Sequence, residues 1–143
     1  MSNVTNMYMM FGDEATLGNI PYGSSDFNQP IGDWNVSSVT DMNGMFYNTY
    51  DDPQNTGAFN QPIGDWDVSS VTNMDFMFEG AYYFNQDISN WCVTNIPSEP
   101  YEFSYSPFVT IIESNMPVWG TCPSFGLDDQ NHCLLYTSPS PRD

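Results

Sequence analysis

The sequence is almost without basic residues: one Lys or Arg stands against 18 Asp and Glu, which gives a net charge of -17. A protein that binds nucleic acid needs cations to neutralise the phosphates, so this class of function is excluded. Attraction to an anionic membrane surface is disfavoured for the same reason. No apolar run approaches the roughly 18 residues that a membrane-spanning helix requires. We therefore predict neither nucleic-acid binding nor membrane insertion.

Catalytic signatures are missing as well. The single histidine is His132, and the sequence shows no Gly-rich phosphate loop, zinc-protease motif or EF-hand. No nucleophile stands in a recognisable arrangement with a base, so we expect that the protein is not an enzyme. Aromatic residues and Met are abundant, together with Asn, Ser, Gly and Pro. The core should therefore be aromatic and Met-rich, and the chain should turn often.

Internal repeats dominate the sequence and decide the expected fold. Residues 27–40 read FNQPIGDWNVSSVT and residues 59–72 read FNQPIGDWDVSSVT, so the two differ only in Asn35 against Asp67. A weaker third copy, FNQDISNWCVTNI, covers residues 84–96. A second block follows the first two copies as SSVTDMNGMF and SSVTNMDFMF, and its relative SNVTNMYMMF opens the chain. The copies recur after 32 and then 25 residues, so the extra residues of the longer interval are expected to form a loop.

This short period predicts a repeat solenoid that is leucine-rich-repeat-like, because it leaves no room for a helix pair. Each coil would hold a short strand with turns, or a 3-10 or short helical segment, in about three to four coils with a C-terminal cap. Equivalent side chains would stack into core ladders about 4.8 Å apart. The predicted ladders are Phe27, Phe59 and Phe84; Ile31, Ile63 and Ile88; Trp34, Trp66 and Trp91; and Val36, Val68 and Val93. A further ladder of Asn28, Asn60 and Asn85 is expected to face inward and satisfy backbone groups.

A family resemblance rests on the same residues. The stretch FNQPIGDWDVSSVTNMDFMF resembles the repeat of BspA-type leucine-rich repeat surface proteins, also known as a domain of unknown function in bacterial surface lipoproteins. The resemblance covers residues 1–122 or so, and its F-N-Q, W-x-V-S-x-V-T-x-M and M-F elements recur in register. It implies a right-handed solenoid on a secreted or cell-surface protein that acts in binding or adhesion, and it supplies no catalytic residues. The third copy lacks the M-x-x-M-F block, so we expect the repeats to end with it.

The chain divides into three predicted parts. Residues 1–96 are the repeats, which begin in mid-repeat; we expect a fragment of a longer protein whose exposed first coil allows self-association. Residues 97–132 are the C-terminal cap, which would cover the core face of the last coil. Residues 133–143 read CLLYTSPSPRD and resemble a translated sequencing adapter, so they are left out of the fold prediction.

Two cysteines offer a way to fix the cap. Cys92 replaces the Asn35 and Asp67 of the other copies, and Cys122 lies 30 residues further along. The extracellular location that the resemblance implies would permit a disulfide, and a Cys92–Cys122 bond would tie the cap to the last coil. The alternative is a pair of unrelated thiols. A zinc site is not expected, because two lone cysteines lack the close ligand spacing of such sites.

The first functional hypothesis is a non-catalytic module of a secreted or cell-surface protein that binds an unknown protein or glycan or mediates adhesion. Tyrosines in or near the variable segments would make the contacts, because they bury area at low entropy cost. Packing of the loops is their alternative role. The candidate contact residues are Tyr47, Tyr50, Tyr82 and Tyr83.

The second hypothesis is a calcium-dependent structural or assembly element. Asp33 should stack on Asp65, and Asp41 on Asn73, and a shared calcium ion would relieve the repulsion between stacked carboxylates. The alternative is that these aspartates are solvated or cap turns. No other cofactor is expected.

Overall fold

Regular secondary structure is nearly absent from the computed structural model. It describes residues 3–12, 27–48, 57–105 and 111–123. Within these ranges the one helical element is a 3-10 helix, Glu113–Asn115, and strand pairing is confined to two isolated parallel bridges, one between Asn6 and Asp41 and one between Asp41 and Asn73. The predicted leucine-rich-repeat-like solenoid of short strands is therefore wrong. None of the helical structure in this part of the chain is long and apolar enough to cross a membrane.

Strands fail to form because the chain turns every few residues. The backbone N–H of Trp34 donates to the carbonyl of Ile31 at 3.0 Å, and that of Val39 donates to Val36 at 2.9 Å. The same turns recur in the next two copies. A hydrogen bond between residues three apart reverses the chain, so no stretch stays extended for long. The Asn, Asp, Ser and Gly residues of the repeat favour these turns over strands. The length of the repeat, on which the prediction of short strands rested, does not reflect this preference.

Successive copies nevertheless stack in register through their backbones. The N–H of Met42 donates to the carbonyl of Asn73 at 2.9 Å, and the N–H of Phe46 donates to that of Met77 at the same distance. Equivalent bonds join residues 7–11 to the copy that contains Asp41. Backbone groups thus bond either to the neighbouring copy or to turns within their own copy. Their polar atoms are satisfied without a sheet, as burial requires.

The core consists of side-chain columns with one member from each copy. Two phenylalanine columns interlock: Phe46 stacks on Phe59 with ring centroids 4.0 Å apart, and Phe78 stacks on Phe84 at 4.1 Å. Along one column, the ring of Phe59 lies 5.9 Å from that of Phe84. The buried members of the predicted ladders are Phe59, Phe84, Ile31, Ile63, Ile88, Trp66, Trp91, Val36, Val68 and Val93.

The first full copy is less covered than those that follow. Its Phe27 and Trp34 are half-buried and pack against the core. The ring of Phe11 covers part of this copy, with its centroid 3.8 Å from that of Phe27. Self-association through this end of the stack stays a prediction.

The tryptophan column also bonds the copies together. The indole Nε1–H of Trp66 donates to the carbonyl of Ile31 at 3.0 Å, and that of Trp91 donates to the carbonyl of Ile63 at 3.0 Å. Both indoles are buried, and a buried indole N–H requires an acceptor. Each Trp therefore fixes the position of its own copy against the one before.

The asparagine ladder forms, but it does not face inward. The backbone N–H of Asn60 donates to Oδ1 of Asn28 at 2.9 Å, and that of Asn85 donates to Oδ1 of Asn60 at 3.1 Å. All three asparagines are exposed, so the expectation of an inward ladder is wrong. The side-chain amides accept hydrogen bonds from backbone donors on the surface of the stack.

Stacking continues past residue 96. The N–H of Phe76 donates to the carbonyl of Tyr101 at 2.9 Å, and the N–H of Phe78 donates to that of Phe103 at 2.8 Å. Phe103 is buried although its sequence surroundings show no M-x-x-M-F block. The last layer in the described part of the chain is formed by residues 111–123, where Ile88 N–H donates to the carbonyl of Asn115 at 2.9 Å.

One residue of each stacked block has a left-handed backbone conformation. The φ values are 52° at Met9, 62° at Gly44, 60° at Phe76 and 50° at Glu102. Hydrogen bonds between neighbouring copies align these positions. This conformation is disfavoured for residues with a Cβ, and only Gly44 avoids its cost. The turn geometry is therefore imposed by stacking rather than by the local sequence.

Candidate binding groove

A surface depression lies at the C-terminal end of the stack that the structure describes. It has a volume of about 1110 Å³ and runs between residues 99–105 and the last layer, residues 111–119. Three carboxylates and three apolar or aromatic side chains give it its chemical character. These are Glu99, Glu102, Glu113, Tyr105, Val118 and Trp119, and we call this surface the C-terminal groove.

Each wall of the groove is positioned by a different set of contacts. Bonds from Phe76, Phe78 and Gly80 hold residues 101–105 against the copy below. On the opposite wall, the ring of Trp119 packs edge-on against Phe103 with the centroids 5.0 Å apart. Trp119 is therefore anchored to the core while remaining only half-buried.

A disulfide secures the wall that carries Trp119. Cys92 and Cys122 are joined, with their Cα atoms 4.0 Å apart, so the structure pairs the two cysteines that the sequence suggested. Beside the bond, Val93 N–H donates to the carbonyl of Thr121 at 2.8 Å. The crosslink closes a segment with a sequence separation of 30, and closure of such a segment lowers the entropy of the unfolded chain.

The groove exposes large apolar side chains. Val118 is 70% exposed and Ile112 is 54% exposed, and Tyr105 is 53% exposed. Ile112 and Val118 both line the groove. An apolar patch rimmed by polar residues on a folded protein commonly marks a surface that contacts a partner.

A second, smaller depression contains two of the three aspartates of the calcium hypothesis, Asp33 and Asp65. It has a volume of about 460 Å³ and contains Asp33, Asp65 and Asp87. Asp41 lies elsewhere: its Oδ1 accepts the N–H of Asn43 at 2.9 Å, as a turn cap. In the portion of the chain that the structure describes, no group of three or more His, Cys, Asp or Glu residues could hold a metal ion. Calcium dependence stays a prediction.

Asp87 has its own turn partner. Its Oδ1 accepts the hydroxyl of Ser89 at 2.6 Å and the backbone N–H of Ser89 at 2.9 Å. These two hydrogen bonds lower the pKa of the Asp87 carboxyl below its ordinary value. A cap of the same kind is formed at a different position of the repeat by Asp67 with Ser69 and by Asn35 with Ser37. These side chains therefore stabilise turns in all three copies.

The tyrosines predicted as contacts do not line the C-terminal groove. Tyr83 is 58% exposed, whereas Tyr82 is half-buried, and burial raises the pKa of its hydroxyl. Tyr47 is half-buried beside Phe46. Tyr50 lies outside the described residues, as does the adapter-like tail. A contact role for these tyrosines stays a prediction.

Sequence reasoning missed the groove because the repeat pattern is lost where its walls begin. One signal was present: residues 99–105 read EPYEFSY and so place two glutamates among three aromatic residues. Their presence in a segment outside the repeat pattern indicates a surface with both charged and aromatic side chains.

The geometry defines a repeat protein of stacked, turn-rich copies with a groove at one end. The chain belongs to a family described as "Mycoplasma protein of unknown function, DUF285", whose model matches residues 1–57 and again residues 53–110. Membership in a bacterial repeat family is therefore established. No curated protein and no solved structure matches the chain. Residues 111–119, which supply one wall of the groove, lie beyond the family match.

Proposed function

We propose that the chain is a non-catalytic module of a secreted or cell-surface protein and that it binds a protein or glycan partner through the C-terminal groove. The observation that carries this proposal is the exposure of Ile112 and Val118 on a surface depression of about 1110 Å³. Aromatic and aliphatic side chains that remain exposed in a folded protein supply the area that binding buries.

The disulfide supports the proposed location. Structural disulfides persist in oxidising compartments and are rare in the cytosol, and Cys92–Cys122 joins the last layer to the third copy. The sequence resemblance to BspA-type surface proteins supports the same location and an adhesive role. Stacked copies would then serve as a scaffold for the groove.

The test is a binding screen with the oxidised full chain. The chain is immobilised and exposed to defined oligosaccharides, among them maltotetraose and chitotetraose, and to synthetic peptides of acidic, basic and apolar composition. We expect saturable binding of at least one probe, and we expect the double variant Ile112→Ser/Val118→Ser to abolish it. Both side chains are exposed, so these substitutions should leave the core intact.

A matched control separates the groove from the tyrosine hypothesis. Tyr83 is as exposed as Ile112 but lies outside the groove, so Tyr83→Ser should leave binding unchanged. Loss of binding in Tyr83→Ser but not in the groove variant would move the binding surface to the tyrosines. Absence of saturable binding to any probe would contradict the proposed function.

A further inference from the structure

We propose that the partner of the C-terminal groove is a basic peptide segment of another protein, one that carries Arg or Lys beside apolar side chains. This inference rests on the proposed function and names the class of partner. It combines the apolar lining of the groove with the charges on its rim, and neither feature would be sufficient alone.

Charge complementarity is the first step of the argument. Glu99, Glu102 and Glu113 all line the groove, and the described part of the chain contains no Lys or Arg. The whole chain has a net charge of -17. A cleft lined by charges of one sign on a protein of the same sign attracts partners of opposite charge and raises their association rate. An acidic partner would be repelled.

The apolar lining is the second step. Exposed ion pairs each contribute little to affinity, so three carboxylates would attract a cation without holding it. Val118 and Ile112 add exposed aliphatic surface in the same groove. Apolar side chains of a peptide could bury against them, and buried anchors of this kind supply most of the binding energy in protein interfaces.

The aromatic residues favour arginine within the basic segment. Tyr105 is 53% exposed, and Trp119 is half-buried with its ring edge-on to Phe103. A guanidinium group stacks on such rings and pairs with carboxylates at the same time. A neutral glycan would use the rings but would leave the three carboxylates without cationic partners, which is why a peptide fits the groove better.

The volume of the groove agrees with an extended segment. Small-molecule pockets are typically about 300–1,000 Å³, and the groove exceeds that range at about 1110 Å³. One wall lies beyond the family match, which ends at residue 110. Partner choice is therefore expected to be particular to chains that carry residues 111–119 in this arrangement.

The experiment measures binding of a fluorescent peptide, Arg-Leu-Arg-Leu-Arg-Leu, to the oxidised full chain by anisotropy. The variant Glu99→Gln/Glu102→Gln/Glu113→Gln should weaken binding by about tenfold, the combined effect of three ion pairs at the surface. Ile112→Ser/Val118→Ser should weaken it by a comparable factor. A peptide with Glu in place of Arg should not bind.

The matched control removes three charges elsewhere on the surface. Asp33→Asn/Asp65→Asn/Asp67→Asn introduces at each position a residue that the repeat already uses there, since Asn35 is equivalent to Asp67 and Asn90 to Asp65. This variant should change the dissociation constant by less than about twofold, because screening weakens distant charges. Equal weakening in both triple variants would overturn the proposal, since the attraction would then be general.

Other outcomes separate this inference from the proposed function. If maltotetraose or chitotetraose binds, is lost in Ile112→Ser/Val118→Ser, and the basic peptide does not bind, then the basic partner is wrong and the binding module stands. If no probe binds saturably, both proposals fail. Circular dichroism of each variant confirms that a loss of binding does not come from unfolding.

Discussion

The stacked copies and the last layer of the chain are stabilised in different ways. Between copies, backbone bonds, tryptophan indoles and phenylalanine columns repeat from one copy to the next. The last layer, residues 111–123, has few such bonds and is tied by the Cys92–Cys122 disulfide. Its Val118 and Ile112 stay exposed. Contacts that repeat from copy to copy therefore stabilise the scaffold. The disulfide instead holds the wall of the C-terminal groove, on which Ile112 and Val118 stay exposed.

The largest effect should come from breaking a phenylalanine column. Phe59 stacks between Phe27 and Phe84 and against Phe46, and it is buried. We expect Phe59→Ala to lower the free energy of unfolding by about 3–5 kcal/mol, because it leaves a cavity in the stack. Urea denaturation followed by tryptophan fluorescence measures the change.

Phe76→Ala is the control for this column. Phe76 is half-buried, and its ring packs edge-on against that of Tyr101 with the centroids 5.3 Å apart. Its removal should cost clearly less than the removal of Phe59. An equal decrease in the free energy of unfolding at the two positions would show that stability depends on the number of aromatic side chains and not on their stacking in columns.

The next effect should come from the disulfide. In Cys92→Ser/Cys122→Ser, or in the reduced chain, stability should fall by about 3.6 kcal/mol, as expected for a closed segment of this length. Hydrogen exchange should rise mainly in residues 111–123, because the phenylalanine columns lie elsewhere. Equal loss of protection around Phe59 would mean that the two regions unfold together and that the distinction drawn between them is wrong.

A smaller loss of stability should come from a substitution that pushes two neighbouring copies apart. A Cβ added to Gly64 would lie 2.5 Å from the backbone carbonyl oxygen of Asp87 in the next copy. We expect Gly64→Ala to lower the free energy of unfolding by roughly 1–3 kcal/mol, the usual cost of overpacking. Ser38→Ala, half-buried at another turn, should stay within about 0.5 kcal/mol of the parent. Thermal melts of both variants measure the difference, and a neutral Gly64→Ala would show that adjacent copies separate freely.

The smallest effect concerns pH. Hydrogen bonds from Ser89 lower the pKa of Asp87 in the folded chain. A carboxyl with a lowered pKa contributes stability above its ordinary pKa of about 3.9 and loses that contribution as the pH falls through the lower, folded value. Asp87→Asn should therefore be slightly less stable than the parent at pH 7, and the difference should disappear in acid. Urea denaturation across this pH range tests the sign; a difference that grows in acid would contradict it.

Much of the packing could be predicted from the sequence, because the copies show which residues are equivalent. Ile63, Val68 and Trp66 are buried as their repetition suggested. The strands could not be predicted correctly, because period length alone does not distinguish an extended segment from a series of turns. The side chains of Asn35 and Asp67 cap turns, and residues of these types favour turns over strands.

The C-terminal groove could not be predicted from the sequence. Its walls come from residues 99–105 and 111–119, and contact between them depends on tertiary stacking such as Trp119 on Phe103. No local pattern reveals such a contact. The disulfide could be predicted because Cys92 replaces the Asn35 and Asp67 of the other copies.

The bonds that join one copy to the next have a consequence for how the chain folds. They come largely from backbone groups, and residues 27–40 and 59–72 differ at one position. A copy therefore finds nearly the same complementary surface on more than one neighbour, including a copy in another chain. Refolding must select the correct pairing among near-equivalent ones, and mispairing within or between chains is the characteristic failure of repeat proteins. The third copy differs in sequence from the first two and is crosslinked through Cys92, so fewer of its pairings with another copy are equivalent.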